Sequence, residues 1–304
     1  IVRELSANGV AIVLVSHFLE DVFAVADVVT VIRDGKMIVD AVPAESMDPS
    51  SAVKAMLGER AIQVEHEVSR QRRAAKTRST HEPSSSDQPH VKASESRLVV
   101  QGLTLRGALK PTSFTVQRGE VVALAGLEGA GPNFILDLLY GHRRPDSGTI
   151  TLPSGRKGPR SIARAVREGL AFVPSDRAHI GLFLDQSVRE NVNVVRTLAL
   201  DAGAAILRRR EAEEHAAARI KQLDVRPHRA DLPARALSGG NQQKVVFAKW
   251  LEAKPDVFLL DDPTRGVDVG TRSDMHALIR RLADEGRIIL IASGDLDELA
   301  TVAD

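Results

Sequence analysis

The chain has 304 residues, 43% of them hydrophobic and 27% charged, with a formal charge of +1 and no cysteine. That length accommodates about two ordinary domains. The near-neutral charge argues against a dedicated nucleic-acid binder, and the missing thiols exclude disulfides and thiolate metal sites.

Aromatic residues make up only 3% of the chain, so its core must be aliphatic. No apolar run approaches the roughly 18–20 residues needed to span a bilayer; the longest, at residues 10–15 and 288–292, are strand-sized. A membrane role must therefore run through a partner. No signal peptide is visible. The first residue is Ile1, inside what reads as a running helix, so the chain is expected to be a piece of a longer protein.

An internal repeat organises the sequence. Residues 2–27 (VRELSANGVAIVLVSHFLEDVFAVAD) align with residues 279–304 (IRRLADEGRIILIASGDLDELATVAD) at a shift of 277, with nine of 26 positions identical. Both copies read as helix, glycine stop, buried strand, loop and helix. After the first copy, residues 28–33 read as a further strand running into Asp34-Gly35, a hairpin turn signal. The second copy stops before that strand. Two copies of one domain are expected: the tail of a first at 1–60 and most of a second at 97–304.

Between them, residues 61–96 hold many Ser, Arg, Lys, His and Pro residues and few large apolar ones. Such a stretch cannot bury enough apolar surface to fold alone and is expected to be a flexible linker. From Leu98 onward strands and helices alternate. The apolar runs 121–125 and 257–261 suit strands buried on both faces, which predicts an α/β domain with a mostly parallel central sheet.

Four motifs carry chemistry. Residues 121–133 (VVALAGLEGAGPN) read as a buried strand feeding a glycine loop, followed by a helix at 134–140. Gly126 and Gly131 have the spacing of a phosphate-binding loop, whose glycines let backbone amides curl around phosphate oxygens. Pro132 stands where that loop needs a lysine, and Asn133 stands where it needs a metal-binding hydroxyl; proline also removes one N–H donor. Residues 237–244 (LSGGNQQK), just before an amphipathic segment at 245–251, offer a hydroxyl, unobstructed amides and a positive helix end to an anion. An ordinary N-cap at Ser238 is the plainer alternative, but it leaves unexplained the third motif that follows a short way on. There, residues 257–268 (VFLLDDPTRGVD) end an apolar strand in Asp261-Asp262. Asp261 is placed to hold Mg²⁺ directly or through water, and Asp262 to orient an attacking water. The fourth is the loop after the repeated strand, Ser16-His17 in one copy and Ser293-Gly294 in the other. Only the first carries an imidazole able to meet a terminal phosphate.

This order of motifs resembles an ABC ATPase. It is closest to the tandem ATP-binding subunits of bacterial sugar importers of the ribose, galactose and xylose type. LSGGNQQKVVFAKWL, DDPTRGVDVG, VPSDRAHIGLFLDQSVREN and MLGER at 56–60 all have counterparts there. The resemblance implies a P-loop NTPase fold of the ABC type: a mostly parallel sheet with an antiparallel β subdomain and a helical subdomain, preceded by the tail of a first such domain. It implies ATP sandwiched between two nucleotide-binding domains, with Mg²⁺. It assigns nucleotide binding to Gly126, Gly129, Ala130, Gly131, Pro132 and Asn133, and to Ser238, Gly239, Gly240 and Asn241. His17 and Asp262 would be catalytic, Asp261 the metal residue. Partners would be transmembrane permease subunits and, indirectly, a periplasmic sugar-binding protein, at the cytoplasmic face of the inner membrane, with no nucleic acid. The signature Ser238–Gly240 would clamp ATP in the first domain's active site.

Three departures from the resembled pattern weaken the second site further. That family keeps Arg-Thr where this chain has Pro132-Asn133, an acid where it has Ser175, and Glu where it has Asp262. Aspartate is one methylene shorter, a setback of roughly 1 Å that costs on the order of 10²-fold in rate where placement is critical. A nucleoside importer of the same tandem build is a second reading. A soluble tandem-ABC translation factor is a third, disfavoured by the degenerate loop and by Pro83 and Pro89 in the linker.

Overall fold

A computed structural model describes residues 1–16, 19–33, 35–58, 97–126, 131–197 and 209–304. The expected linker at 61–96 therefore lies outside the described residues. The chain divides into two compact units, Ile1–Glu82 with Asp268–Ser273, and Pro83–Val267 with Asp274–Asp304.

The first unit contains α1 (Val2–Ala7), α2 (Leu19–Val25), β1 (Val28–Arg33), β2 (Lys36–Pro43) and α3 (Pro49–Leu57). β1 and β2 form the expected hairpin, with Arg33 opposite Lys36 across a two-residue connection. Asp48 caps α3 by accepting from the Ser51 N–H at 3.0 Å, and proline follows at the first helical position, where its missing N–H is harmless. A small core gathers Val29, Val31 and Ala44, with Val22, Phe23 and Met56 packed against it.

One expectation fails in this unit. Residues 10–15, read as a buried strand, form no strand, and Val13 and Val15 stand 92% and 93% exposed. Their counterpart in the second copy shows why. There the equivalent run is hydrogen-bonded on both edges by neighbouring strands and wholly buried. A β-branched apolar run has a tendency to extend, but ladder partners decide whether it becomes a strand; among the described residues, 10–15 has none.

The second unit begins with β3 (Arg97–Leu105), β4 (Leu109–Gln117) and β5 (Val121–Ala125). Next come α4 (Pro132–Tyr140), β6 (Ser147–Thr151), α5 (Ile162–Arg167), β7 (Leu170–Val173) and a π-turn at Arg177–Gly181. α6 (Val188–Val195), α7 (Arg209–Gln222), α8 (Gly239–Ala253), β8 (Val257–Asp261), α9 (Val269–Asp284), β9 (Ile288–Ser293) and α10 (Leu296–Val302) complete the order. An antiparallel sheet runs β4-β3-β6, and a parallel sheet runs β5-β9-β8-β7. The runs 121–125 and 257–261 are strands with the bounds the sequence indicated.

In the parallel sheet Ala125 lies opposite Ser293, Asp261 opposite Ala292 and Val173 opposite Leu260. All four strands therefore end at one edge, so the loops after them share that edge, where open parallel sheets bind ligands.

Helix α8 differs from its sequence reading. Residues 245–251 look amphipathic, yet every residue from Gln243 to Glu252 is buried. α6, α7, β7 and the π-turn all pack against it. Its buried charged side chains are partnered, although Gln243 Nε2 and Trp250 Nε1 are not: Lys244 Nζ donates to Asp274 Oδ2 at 2.9 Å, and Glu252 receives Arg196 and Arg219. Lys249 Nζ donates to the Gly181 carbonyl at 2.6 Å, and burial pushes its pKa down to about 8.

Candidate functional site

The shared carboxyl edge brings together Gly126 after β5, Ser175 after β7, Asp261 and Asp262 at the end of β8, and Gly294 after β9. Helix α4 opens beside them. Its N-cap is Gly131, buried, with φ 118°; that left-handed value is strained for a residue with a Cβ. Pro132 follows at the first helical position. The helix tolerates it there, though it leaves one fewer N–H facing the loop. Gly129, Ala130 and His17 lie outside the described residues.

Asn133 is exposed, but its side chain is partnered. Its Nδ2 donates to Asp261 Oδ1 at 2.8 Å. On the other oxygen, Asp261 Oδ2 accepts from Ser175 Oγ at 2.8 Å, with the Ser175 N–H at 3.5 Å. A carboxylate only accepts, so the Asn133 amide must turn its NH₂ toward Asp261. Burial raises the Asp261 pKa, the nearby Asp262 and Asp137 add to the rise, and the Ser175 hydrogen bonds oppose it.

The sign of that shift gives a test. A carboxylate with a raised folded pKa costs stability once it ionises, so stability falls as pH climbs from the ordinary aspartate range through the folded pKa. Asp261→Asn keeps an acceptor for Asn133 and removes the charge. It is expected to melt about 2 °C higher than the parent at pH 7, a gap that closes as pH drops into the ordinary aspartate range. Melting curves across pH check this; a variant less stable at pH 7 contradicts it.

Asp262 sits at φ 42°, a left-handed value that few non-glycine residues adopt. Its N–H donates to the Ala292 carbonyl at 2.8 Å, and its Oδ1 accepts the Gly294 N–H at 3.2 Å. The carboxylate thus spends a hydrogen bond on the loop where the first copy carries His17.

Beneath this edge lies a cluster that no motif announced. Glu298 is 3% exposed and accepts Thr264 Oγ1 at 2.7 Å and Ser293 Oγ at 2.7 Å, with His276 Nε2 at 3.2 Å. Ser293 Oγ in turn accepts the Asp295 N–H at 3.1 Å. One buried carboxylate therefore ties the loop after β8 to the loop after β9. Burial pushes the Glu298 pKa up, but the bonds from His276, Thr264 and Ser293 outweigh it and hold it below the ordinary glutamate value.

The second group of candidates is the turn that starts α8. Ser238 is its N-cap and is exposed; its side chain makes no cap to the backbone and instead accepts from Asn241 Nδ2 at 2.9 Å. Asn241 Oδ1 accepts the Arg226 N–H at 2.7 Å. Gly240 is buried and Gly239 half-buried. Gly239 is glycine for a spatial reason: a Cβ there would run into the Arg177 guanidinium. Arg177 donates to the carbonyls of Arg265 at 2.7 Å and Gly266 at 3.2 Å, so one side chain joins the signature turn to the loop after Asp262. Arg177 stood in the VPSDR stretch, but only the fold shows what it grips. Among the described residues no hydrogen bond links the Ser238–Asn241 turn to Gly126, Gly131, Asn133 or Asp261.

A family model described as ABC transporter matches residues 109–265. All of the chain aligns at 37% identity with the "Arabinose import ATP-binding protein AraG" of Azospirillum brasilense, covering 54% of that protein. It also aligns at 35% with the "Ribose import ATP-binding protein RbsA" of Bacillus subtilis, covering 57%. The chain thus spans about half the length of these curated relatives. Among solved structures, a nucleotide-free ATP-binding cassette from an ABC transporter matches with TM-score 0.60 at 20% identity, over 69% of this chain and 85% of that one. cbiO1 from Clostridium perfringens, part of the cbiONQ ABC transporter complex, matches with TM-score 0.57 at 29% identity, over 69% and 83%.

Proposed function

The chain belongs to the ABC transporter family and has its P-loop ATPase fold, and from that premise we propose that it is part of the ATP-binding, energy-coupling subunit of a sugar importer. The observation that carries this reading is the exposed Ser238 turn. A hydroxyl and first-turn amides at the head of a 15-residue helix make no hydrogen bond to Gly126, Gly131, Asn133 or Asp261 among the described residues, and suit a triphosphate held by another domain. The names of the arabinose and ribose relatives support sugar as the cargo class. A nucleoside importer of the same build differs only in substrate, which ATP-binding subunits do not touch.

In this reading residues 1–60 close a first nucleotide-binding domain, 61–96 link, and 97–304 form most of a second. ATP with Mg²⁺ is sandwiched between the two. The first domain supplies its phosphate loop and His17; the second lends Ser238, Gly239, Gly240 and Asn241 as the opposing lid. Hydrogen bonds from these donors to developing charge on the γ-phosphate are the second domain's share of the rate. The second domain's own site, from Gly126, Gly129, Ala130, Gly131, Pro132 and Asn133 to Asp261 and Asp262, takes nucleotide with little turnover. Its glycine loop lacks the lysine, Asp262 is short and already bonded to Gly294, and no imidazole follows β9.

No helix among the described residues is long and apolar enough to cross a membrane. Coupling to transport therefore runs through permease subunits, with a periplasmic sugar-binding protein acting on them from the far side. The ATPase sits on the cytoplasmic face. Ile180 and Phe183, left 69% and 58% exposed on and just after the π-turn beside α8, offer a partner helix an apolar patch.

The asymmetry makes a test. In the assembled importer, His17→Ala is expected to lower sugar-stimulated ATP hydrolysis by about 10²-fold, the scale of losing one group that positions the attacking water. Asp262→Asn should leave most of the rate. Hydrolysis assays with permease and binding protein present decide it; the reverse ranking would reassign the active site to the second domain.

A further inference from the structure

Magnesium is generally bound through one or two carboxylates together with substrate phosphates. The residues at the second site do not fit that pattern. The carboxylate at hand, Asp261, already carries a donor on each oxygen at 2.8 Å, Asn133 Nδ2 on one and Ser175 Oγ on the other. Asn133 stands where a phosphate-binding loop places its metal-binding hydroxyl, and it meets Asp261 through an N–H, a group that repels a cation.

We infer that the Asn133–Asp261–Ser175 bridge stands in for a divalent cation, so that nucleotide at the glycine-loop end of this domain is held independently of Mg²⁺. The inference rests on the reading of that end as a nucleotide site.

The physical logic is substitution of one charge partner by two hydrogen-bond donors. In a site with a metal, the cation draws the carboxylate and the phosphates together. Here Asp261 is half-buried, and Asn133 and Ser175 supply the hydrogen bonds that its ionised form needs. The cost of losing the cation falls on the phosphates, which are left with backbone amides and the end of α4 alone. Weak binding, equal with and without the metal, is the consequence.

The chain carries a single glycine loop, so bound nucleotide reports on this site. The 304-residue chain is titrated with a fluorescent ATP analogue carrying a methylanthraniloyl group, in excess Mg²⁺ and separately in excess EDTA. The expected dissociation constants agree within about twofold, while the double variant Asn133→Thr/Ser175→Glu, which restores a hydroxyl and adds a second carboxylate, binds about tenfold or more tightly in Mg²⁺ than in EDTA. Circular dichroism of the variant confirms that it is folded. Parent binding that tightens about tenfold in Mg²⁺ overturns the inference and leaves the nucleotide site standing. Absence of nucleotide under both conditions overturns the inference and the site together. A folded double variant that stays indifferent to Mg²⁺ overturns the bridge as the cause.

Discussion

Replacing Ser238 by arginine is expected to slow ATP hydrolysis by the assembled importer about 100-fold or more, the scale of losing preorganised donors at a developing charge. In the proposed reading, the substitution acts at the turn that would close on the first domain's triphosphate. Ser238 is exposed, and its hydroxyl accepts a single hydrogen bond, from Asn241. A long side chain there blocks close approach of the α8 amides to phosphate, and nothing in the domain's own core is disturbed. The melting temperature should therefore stay within about 1 °C of the parent, as exposed substitutions usually allow. Steady-state hydrolysis in proteoliposomes beside a melting curve separates the two effects. Full hydrolysis by Ser238→Arg removes the signature turn from the mechanism.

The largest stability effect is expected at Glu298. Truncation to alanine leaves the Thr264 and Ser293 hydroxyls and the His276 ring without their shared acceptor in a buried place. Stranding buried polar groups that had a charged partner costs about 3 kcal/mol. For a unit of this size that is a fall of roughly 6–12 °C in melting temperature. Glu298→Gln keeps the shape and one acceptor, so its loss should be smaller. The pH dependence follows from the direction of the shift. Because the folded pKa lies below the ordinary value, the carboxylate's contribution is present above the ordinary glutamate pKa and disappears as pH falls through the folded one. The gap between parent and Glu298→Ala should accordingly narrow in acid. Thermal denaturation of both variants near neutrality and at low pH checks it, and a Glu298→Ala variant as stable as the parent would refute the cluster's role.

The same cluster has a place in function. Thr264 belongs to the loop that Arg177 grips through the Arg265 and Gly266 carbonyls, and Ser293 precedes Gly294, which donates to Asp262. The loops after β8 and β9 are thus held from below by Glu298, while Arg177 bonds the first of them with its guanidinium lying against Gly239.

Much of this was legible in the sequence because the signals are local. Residues 121–125 and 257–261 are apolar runs of strand length bounded by glycine or aspartate, and both are strands of the parallel sheet. The Ser-Gly-Gly turn announced the head of α8, and the helix expected at 134–140 is α4, which begins two residues earlier at Pro132. Each of these depends on a few adjacent residues, whose backbone preferences act wherever they are put.

Where sequence reasoning went astray, the deciding contacts come from distant parts of the chain. Residues 11–16 and 288–293 are equivalent in the repeat and both mainly apolar, yet only the second run is a strand, because β5 and β8 flank it on both edges. Residues 245–251 look one-sided, yet α8 is buried all round by elements far from it in sequence. Asn133 read as a lost metal ligand; that it bonds to a carboxylate 128 residues away depends on β5 and β8 ending at one edge. Backbone propensity and turn chemistry are written residue by residue. Ladder partners, burial and the pairing of polar side chains exist only once the sheet has set its strand order, and those are what decide this site.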